Sequence, residues 1–150
     1  MKIVKNEIRD IKFGKNLKIF EPVNIYECEF GDNVTISPFV EIQKGVKIGN
    51  NTRVSSHSFI CELVSIGSNC FISHGVMFTN DLFKNGQTGK ISKNWKKTSI
   101  GSNVLIGSNV TILPVNICDN VVIGAGSVVT KDILKSGIYM GNPAKFKRKF

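Results

Sequence analysis

The sequence predicts an all-β protein, a parallel β-helix wound in steps of six residues. Three observations carry this prediction: a bulky apolar residue recurs at every sixth position, glycine often follows it, and asparagine comes soon after. A period of six is neither the 3.6-residue period of an α-helix nor the two-residue alternation of a hairpin sheet. Short repeats of this kind are typical of solenoids, in which each repeat packs on its neighbours.

The apolar repeat is longest in the middle of the chain. Stepping by six from Phe30 gives nine consecutive apolar positions, which is very improbable by chance at 41% apolar composition. These positions are Phe30, Ile36, Ile42, Ile48, Val54, Ile60, Ile66, Ile72 and Phe78. Each is expected to point inward. Three steps make a triangular coil of about 18 residues, and neighbouring coils stack about 4.8 Å apart.

The repeat continues in both directions with defects. Upstream, Ile11, Leu17 and Val23 keep the period, but the step to Phe30 is seven residues long, which predicts one inserted residue. Downstream, one five-residue step interrupts the series Ile100, Ile106, Ile112, Ile117, Ile123 and Val129.

Glycine and asparagine recur at fixed places in the repeat. The apolar residue is followed by glycine at Gly49, Gly67, Gly101, Gly107 and Gly124, and asparagine follows soon after in segments such as IGSN. Both residue types tolerate the positive φ that tight corners require. A β-sandwich or a right-handed β-helix is the alternative, but sandwich strands come at irregular intervals of about 8–12 residues.

From the length of the chain, residues 1–150 are expected to form a single domain.

The pattern stops between Phe78 and Ile100. We predict one long loop excursion at about residues 79–99, and a short C-terminal tail after the last coil. The excursion holds five lysines and the only tryptophan, Trp95. A long loop that leaves a regular solenoid is usually functional, and a lone tryptophan is uncommon in a disordered insertion.

Composition limits the class of protein. The net charge of +9 suggests an anionic partner, either nucleic acid or a polyphosphate metabolite. Nucleic acid is disfavoured, because the aromatic residues are expected mostly at inward positions that leave no stacking platform. The sequence contains no apolar stretch long enough for a signal peptide or membrane insertion. The four cysteines are scattered without metal-ligand spacing, so we expect free thiols and a reducing, cytoplasmic setting.

Stacking arithmetic selects candidate site residues. Adding 18 places Ser56 under His74 and Glu62 under Asn80, with His57 near His74 but not stacked on it. We expect these residues and Asp81 to gather on successive coils where the long loop leaves the helix. His74 is the candidate acid–base residue, or else a corner histidine bonded to the backbone. Asn80 and Asp81 either bind substrate or histidine, or form a simple turn.

Other site chemistries have no matching pattern. The sequence shows no Ser-His-Asp arrangement, Walker loop or zinc spacing, and two histidines are too few for a three-histidine metal centre. The glycines between Ile123 and Val129 belong to the repeat, so they do not indicate a dinucleotide loop. No metal is expected.

Two stretches carry a family resemblance. SHSFICELVSIGSNCFISHGVMFTND (residues 56–81) resembles hexapeptide-repeat acyltransferases that N-acetylate nucleotide-linked amino sugars, especially 3-amino sugars for surface polysaccharide assembly. IGSNVLIGSNVTILPVNICDNVVIGAGSVVTKDI, followed by MGNPAKFKRKF, resembles the acetyl-CoA half of that superfamily. The two stretches belong to a resemblance that covers most of the chain from about residue 14.

The resemblance implies a left-handed parallel β-helix, an exception to the usual crossover hand. It implies a homotrimer with sites between subunits, acetyl-CoA as co-substrate and no metal. His74 matches the motif histidine near the amine. Asn80 and Asp81 match the polar pair that follows it. Together with His57 and Glu62, which stacking selects, they are the predicted substrate-binding residues. The implied acetyl-CoA contacts are Gly107, Ala125 and Gly126 at the pantetheine, and Lys131, Lys145 and Arg148 at the phosphates.

The sequence departs from the family pattern in two places. Leu113-Pro114-Val115 stands where Leu-Pro-Gly is usual, with one residue deleted, and should distort the acetyl-CoA groove locally. Leu63 stands where glycine is common, which affects the fine geometry of the substrate site.

The function expected from this resemblance is N-acetylation of a dTDP- or UDP-linked amino sugar, such as a 3-amino-deoxyhexose for lipopolysaccharide or another surface polysaccharide. The amine is at C3 or C4, and His74 either accepts its proton or orients it. One alternative is a sugar O-acetyltransferase. The other is a non-catalytic β-helix that binds an anionic polymer or a protein, although no ladder of a single residue type is evident on the outer faces.

Overall fold

The computed structural model describes residues 7–83, 86–87 and 94–150. Within them the chain winds as a left-handed parallel β-helix of about seven coils, as the sequence predicts. Each coil contributes a short strand to each of three faces, and a corner joins one face to the next. The described residues contain no helix long and apolar enough to cross a bilayer.

Three parallel sheets form the faces. Face 1 comprises β1 (Ile8–Arg9), β4 (Asn24–Tyr26), β7 (Glu41–Ile42), β10 (Phe59–Ile60), β13 (Met77–Phe78), β16 (Thr111–Ile112) and β19 (Val128–Val129). Face 2 comprises β2 (Lys12–Phe13), β5 (Glu29–Phe30), β8 (Lys47–Ile48), β11 (Val64–Ile66), β14 (Thr98–Ile100) and β17 (Asn116–Ile117). Face 3 comprises β3 (Lys18–Ile19), β6 (Thr35–Ile36), β9 (Arg53–Val54), β12 (Phe71–Ile72), β15 (Leu105–Ile106), β18 (Val121–Ile123), β20 (Gly137–Met140) and β21 (Lys145–Arg148).

The apolar residues of the six-residue repeat form the core. All nine positions from Phe30 to Phe78 are buried, and so are the six downstream positions from Ile100 to Val129. A second inward column lies two residues before the first and includes Val34, Val40, Val46 and Val76. Two stacked columns on each face therefore fill the interior with β-branched side chains, which suit the pleated surface.

The upstream register predicted from the sequence is wrong. Phe13 pairs with Phe30 and Ile19 pairs with Ile36, so Ile11, Leu17 and Val23 belong to the second column. The irregularity is therefore not an inserted residue but a five-residue step, from Ile25 to Phe30. Because both columns are apolar, stepping by six along the sequence cannot tell one from the other.

The downstream five-residue step is confined to one corner. On the coil that contains Pro114, the Leu113 N–H donates to the Val129 carbonyl at 3.0 Å, and Val115 O accepts from Ser99 N at 3.0 Å. Residue 114 has no positive φ, consistent with the proline ring, which fixes φ near −65°. The coil-to-coil ladder therefore continues on both sides of the deletion.

The corner between faces 2 and 3 is built from asparagine. The six residues there, all with φ between 55° and 58°, are Asn16, Asn33, Asn51, Asn69, Asn103 and Asn120. Their carboxamides bond from coil to coil, with Asn33 Nδ2 3.0 Å from Asn51 Oδ1 and Asn51 Nδ2 3.1 Å from Asn69 Oδ1. This asparagine edge is a ladder of one residue type that the sequence analysis missed. Its amides bond to one another and join the coils.

The glycines that follow the apolar residue have a different role from the one expected. Gly49, Gly67 and Gly101 do not have the positive φ that was predicted for them. A Cβ at Gly67 would instead lie 2.6 Å from the carbonyl carbon of Gly101 on the next coil. These glycines are required because neighbouring coils approach closely there, while the asparagines supply the left-handed corner.

The parallel pairing continues after the excursion and into the C-terminal tail. Val64, Ser65 and Ile66 pair with Thr98, Ser99 and Ile100, so the helix resumes one coil higher after the predicted loop. Residues 84–85 and 88–93 of that loop lie outside the described residues. The predicted C-terminal tail includes two strands: β20 extends face 3, and β21 pairs with it antiparallel.

The predicted inward placement of most aromatic residues is wrong. Phe30 and Phe78 are buried, but six other phenylalanines are exposed: Phe13, Phe20, Phe39, Phe83, Phe146 and Phe150. The six-residue repeat includes only two of the phenylalanines, so it does not determine the position of the others.

Substitution of Asn51 tests the asparagine edge. Asn51→Ala removes two carboxamide hydrogen bonds and places a Cβ-bearing residue at φ 55° without a compensating polar side chain. We expect a loss of about 2–3 kcal/mol in the free energy of unfolding, measured by urea denaturation. Asn51→Gly is the matched control, because it loses the same bonds but tolerates the backbone, so it should recover about 1 kcal/mol. Equal stability of both variants and the wild type would contradict this role.

Candidate functional site

The candidate residues lie on two different edges of the triangular helix. The corner between faces 3 and 1 carries His57, His74, Gly107, Ala125 and Gly126, and we call it the histidine edge. The corner between faces 1 and 2 carries Glu62, Asn80, Asp81 and Lys131, and we call it the loop edge, since the excursion leaves from it.

The predicted gathering of all these side chains in one place is therefore wrong for a single chain. Strand β13 separates His74 from Asn80. Six residues of extended chain span up to about 20 Å, too far for direct contact between the two side chains. A spacing of 18 residues correctly predicts which residues stack along one edge. A spacing of six leads to the next edge, so residues six apart do not lie together.

Along the histidine edge, the predicted stacking of Ser56 and His74 is confirmed. Gly75 N–H donates to Ser56 O at 3.0 Å, and His74 O accepts from Asn109 N on the following coil at 2.8 Å. The His74 backbone is thus held between two coils while its imidazole is exposed. An imidazole in this position can exchange a proton with a ligand in solvent contact.

One serine hydroxyl lies beside the His74 imidazole, and a second serine hydroxyl bonds to the first. Ser73 Oγ is 3.5 Å from His74 Nδ1 and 2.8 Å from Ser108 Oγ. When Nδ1 carries the proton and donates a hydrogen bond to Ser73 Oγ, Nε2 is left without a proton and can accept one from a ligand. Neither serine is evident from the sequence, because a serine next to an inward residue has no distinctive spacing and the excursion hides the register that places Ser108 on the coil above His74.

His57 lies near His74 without stacking on it, as predicted. It occupies the corner of the preceding coil at φ 64°, and its ring stacks on Phe39, with centroids 4.8 Å apart and an interplanar angle of 12°. Phe39 is also missing from the sequence prediction, since it lies outside the apolar repeat.

The next coils of the histidine edge carry small residues. Gly107 N–H donates to Ile123 O at 2.9 Å and Gly126 N–H donates to Ser108 O at 2.8 Å, so both groups already serve the coil-to-coil ladder. A Cβ at Gly107 would lie 2.6 Å from Ala125 N. Gly107, Ala125 and Gly126 therefore form a narrow strip of backbone beyond His74, on which an extended ligand can lie against main chain.

The three predicted phosphate-binding cations do not share one edge. Lys145 pairs with Met140, at the end of β21 nearest the histidine edge, and Arg148 pairs with Ile138 further along the strand. Lys131 follows β19 and lies on the loop edge. All three residues are exposed.

On the loop edge, the predicted stacking of Glu62 and Asn80 is confirmed through the backbone of Glu62. Asn80 Nδ2 donates to Glu62 O at 3.3 Å, and Asn80 O accepts from Lys96 N at 2.9 Å. Asn80 thus fixes the start of the excursion to the coil below and to its returning end. Asp81 Oδ1 accepts from Phe83 N at 2.9 Å, which is the turn chemistry left open by the sequence.

The pKa of Tyr26, on this side of the molecule, reflects its surroundings. Burial, followed by the charges of Glu41 and Glu62, raises the pKa of Tyr26. Gln43 links the two carboxylate residues, since its Nε2 donates to Glu41 Oε1 at 3.1 Å and its Oε1 accepts from Glu62 N at 3.3 Å. The loop edge is therefore polar and acidic below Asn80.

The cysteines are free thiols, as predicted. Burial raises the pKa of Cys61 to about 11 and that of Cys28 to about 12. A thiol with so high a pKa has almost no thiolate at neutral pH, so Cys61 is no nucleophile despite lying next to Glu62. Among the described residues, no group of three His, Cys, Asp or Glu side chains is arranged to hold a metal ion.

Two sequence families match the repeat. Residues 27–62 match the bacterial transferase hexapeptide (six repeats), and residues 97–131 match the hexapeptide repeat of succinyl-transferase. The bifunctional protein GlmU of Clostridium kluyveri is 34% identical over 124 residues, which are 82% of this chain and 25% of that protein. The chain thus spans about a quarter of the length of this curated relative.

Solved structures share the fold over most of the chain. AntD, an N-acyltransferase from Bacillus cereus in complex with dTDP and 3-hydroxybutyryl-CoA, superposes with a TM-score of 0.78 at 25% identity, covering 88% of this chain and 79% of AntD. A maltose O-acetyltransferase from Clostridium difficile 630 superposes with a TM-score of 0.59 at 26% identity, covering 91% and 70% respectively.

Proposed function

We propose that this chain, whose residues 27–62 and 97–131 match hexapeptide-repeat transferase families, transfers an acetyl group from acetyl-CoA to the amino group of a nucleotide-linked sugar. The observation that carries the proposal is the histidine edge. There an exposed imidazole lies beside the Ser73 hydroxyl, which bonds Ser108, and the next two coils provide a strip of backbone for an extended thioester. AntD, with its dTDP and acyl-CoA ligands, supports the pairing of these two substrates.

The acceptor in this proposal is a dTDP- or UDP-linked amino sugar, with a 3-amino-deoxyhexose for surface polysaccharide as the first choice. The net charge of +9 suits two substrates that both carry phosphates. A cytoplasmic location is part of the proposal, because acetyl-CoA is made there and four free thiols persist in a reducing compartment.

The chemical step is attack of the neutral amine on the thioester carbonyl. The C–N bond forms as the C–S bond breaks, the amine loses one proton, and the departing thiolate of CoA gains one. His74 Nε2 accepts the amine proton while Nδ1–H donates to Ser73 Oγ, which in turn bonds Ser108. The imidazolium can then return its proton to the thiolate.

A second copy of the chain completes this site in our proposal. His74 and the acyl-donor strip share one edge, whereas Glu62, Asn80 and Asp81 lie on the next edge, too far away to reach the same ligand. In a cyclic trimer, the histidine edge of one subunit can face the loop edge of its neighbour. Each groove would then combine His74 with the substrate-binding residues of another chain.

Sugar O-acetylation is the competing function, and the maltose O-acetyltransferase fold supports it. The two are separated by steady-state acetylation of matched nucleotide-linked sugars that carry an amine or a hydroxyl at the same carbon, with CoA release as the readout. We expect kcat/KM to be at least about 100-fold higher for the amine, because a neutral amine is much the stronger nucleophile. A preference for the hydroxyl sugar would favour O-acetylation, and failure to bind acetyl-CoA at millimolar concentration in isothermal titration would favour a non-catalytic β-helix.

His74→Ala tests the acid–base role. We expect kcat to fall about 10²- to 10⁴-fold, because general-base assistance is lost, while the Kd for acetyl-CoA stays within about twofold. Ser73→Ala is the matched variant: it keeps the imidazole but loses its hydroxyl partner, so kcat should fall less. An unchanged kcat in His74→Ala would exclude the proposed role.

Mixed assemblies test whether a site is shared between subunits. His74→Ala and Asn80→Ala chains are each expected to be nearly inactive alone. In an equimolar co-assembled trimer, about one groove in four pairs an intact His74 with an intact Asn80 from the neighbour, so about a quarter of the wild-type activity should return. Recovery of no more than the average of the two parents would place both residues in a site within one chain.

A further inference from the structure

We propose that Phe39 and His57 form an aromatic platform that stacks against the amine-bearing pyranose ring of the acceptor, beside His74. The inference rests on the proposed function and deepens it, since it names the part of the substrate that this surface binds and assigns a role to Phe39. Four features of the histidine edge lead to it.

The first feature is the geometry of the two rings. Phe39 and His57 occupy the same corner of successive coils, and their ring centroids are 4.8 Å apart at an interplanar angle of 12°. That distance equals the spacing of parallel strands, about 4.8 Å, so the coil stacking itself holds the rings face to face. Both residues are exposed, and Phe39 retains 56% of its accessible surface.

The second feature is the backbone beneath the rings. Phe39 has φ 63° and His57 has φ 64°, in a region that bulky residues rarely adopt. Asparagine occupies this conformation at every described corner of the asparagine edge, where its carboxamide bonds along the ladder. An exposed phenylalanine has no such compensation and gains little from burial. Strained residues of this kind concentrate at ligand sites.

The third feature is the point at which the aromatic stack ends. The next corner residue is Gly75, with φ 67° and no side chain. A Cβ there would lie 2.4 Å from Asn109 Oδ1, so the carboxamide of Asn109 leans over this position from the coil beyond. The imidazole of His57 is thus followed at the next corner by a glycine and not by a third ring, and Asn109 Oδ1 borders this position as a hydrogen-bond acceptor.

The fourth feature is the neighbour of this glycine. His74 directly precedes Gly75, and consecutive Cα atoms are about 3.8 Å apart. A ring that stacks on His57 therefore lies over Gly75, one residue from His74. In a nucleotide-linked sugar the ribose and the diphosphate separate the base from the amino sugar. The ring next to the catalytic histidine must then be the pyranose that carries the amine.

The chemistry of a deoxyhexose ring fits this surface. One face of the pyranose presents C–H groups, which pack on an aromatic face, while its hydroxyl groups and amine point to the rim. Asn109 Oδ1 can accept a hydrogen bond from one of these rim groups, and the amine remains within reach of His74. Phe39 acts behind His57 as a positioning residue, because it fixes the plane of the ring that touches the sugar.

The test compares Phe39→Leu with Phe39→Trp. Leucine preserves apolar volume and is tolerated at positive φ in this chain, as Leu63 shows at φ 68°, but it lacks a flat face; tryptophan keeps one. With a dTDP-linked 3-amino-3,6-dideoxyhexose, we expect KM to rise about tenfold in Phe39→Leu and to stay near wild type in Phe39→Trp. The Kd values for dTDP and for acetyl-CoA should not change in either variant, and thermal unfolding checks that both variants fold.

Each other result overturns the proposal in a distinct way. A weaker Kd for dTDP in Phe39→Leu would assign the platform to the base, and loss of the trimer by light scattering would assign it to a subunit contact. An unchanged KM would mean that Phe39 has no role in binding. Wild-type activity is measured first, so that absence of turnover with the amino sugar rejects the proposed function, whereas normal turnover with an unaffected Phe39→Leu rejects only the platform.

Discussion

Every feature of this molecule depends on one constraint: each coil must lie a single hydrogen-bonded strand spacing, about 4.8 Å, from the next. The constraint aligns inward residues in columns, as in the pairing of Ile42 with Ile60. It also requires glycine where the backbones of two coils come closest, at Gly67 and Gly101. At the corners it demands a left-handed residue, and asparagine supplies this while its carboxamide bonds to the coils above and below. Short strands with little burial of their own are stabilised because their coils share these interactions.

The same constraint separates the chemistry of the chain into three edges. Within one chain, the side chains at a corner bond to residues of their own edge. His74 Nδ1 lies 3.5 Å from Ser73 Oγ, which bonds Ser108 on the next coil, while Asn80 bonds the backbone of Glu62. No local rearrangement brings His74 to Asn80 without breaking the ladder between β13 and its neighbours on face 1. The division of candidate residues between two edges follows from the fold itself, and a shared site requires contact between chains.

The sequence was a good guide where one residue type has one structural reason. The apolar column from Phe30 to Phe78, the excursion after it and the free thiols were all predictable, because burial selects those residues directly. It failed where one residue type serves two purposes. Ile11, Leu17 and Val23 are apolar in the second column as well as the first, and glycine serves both close approach and positive φ. The hydroxyl partners of His74 were not predictable, since they depend on a stacking register that the excursion conceals between residues 78 and 98.

The residue type at corners with positive φ differs between the asparagine edge and the other two edges. The asparagine edge keeps one residue type at all six of its left-handed corners. Carboxamide bonds join the four from Asn16 to Asn69, and a further bond joins Asn103 to Asn120. The other two edges hold Phe39, His57 and Leu63 in the same conformation, on consecutive coils next to His74 and Asn80. A fold that can use asparagine at this position does not need these larger side chains for stability. In the proposed groove, where the histidine edge of one subunit faces the loop edge of its neighbour, one ligand can contact both sets of residues. That ligand then lies at the middle coils, where the excursion also leaves the helix.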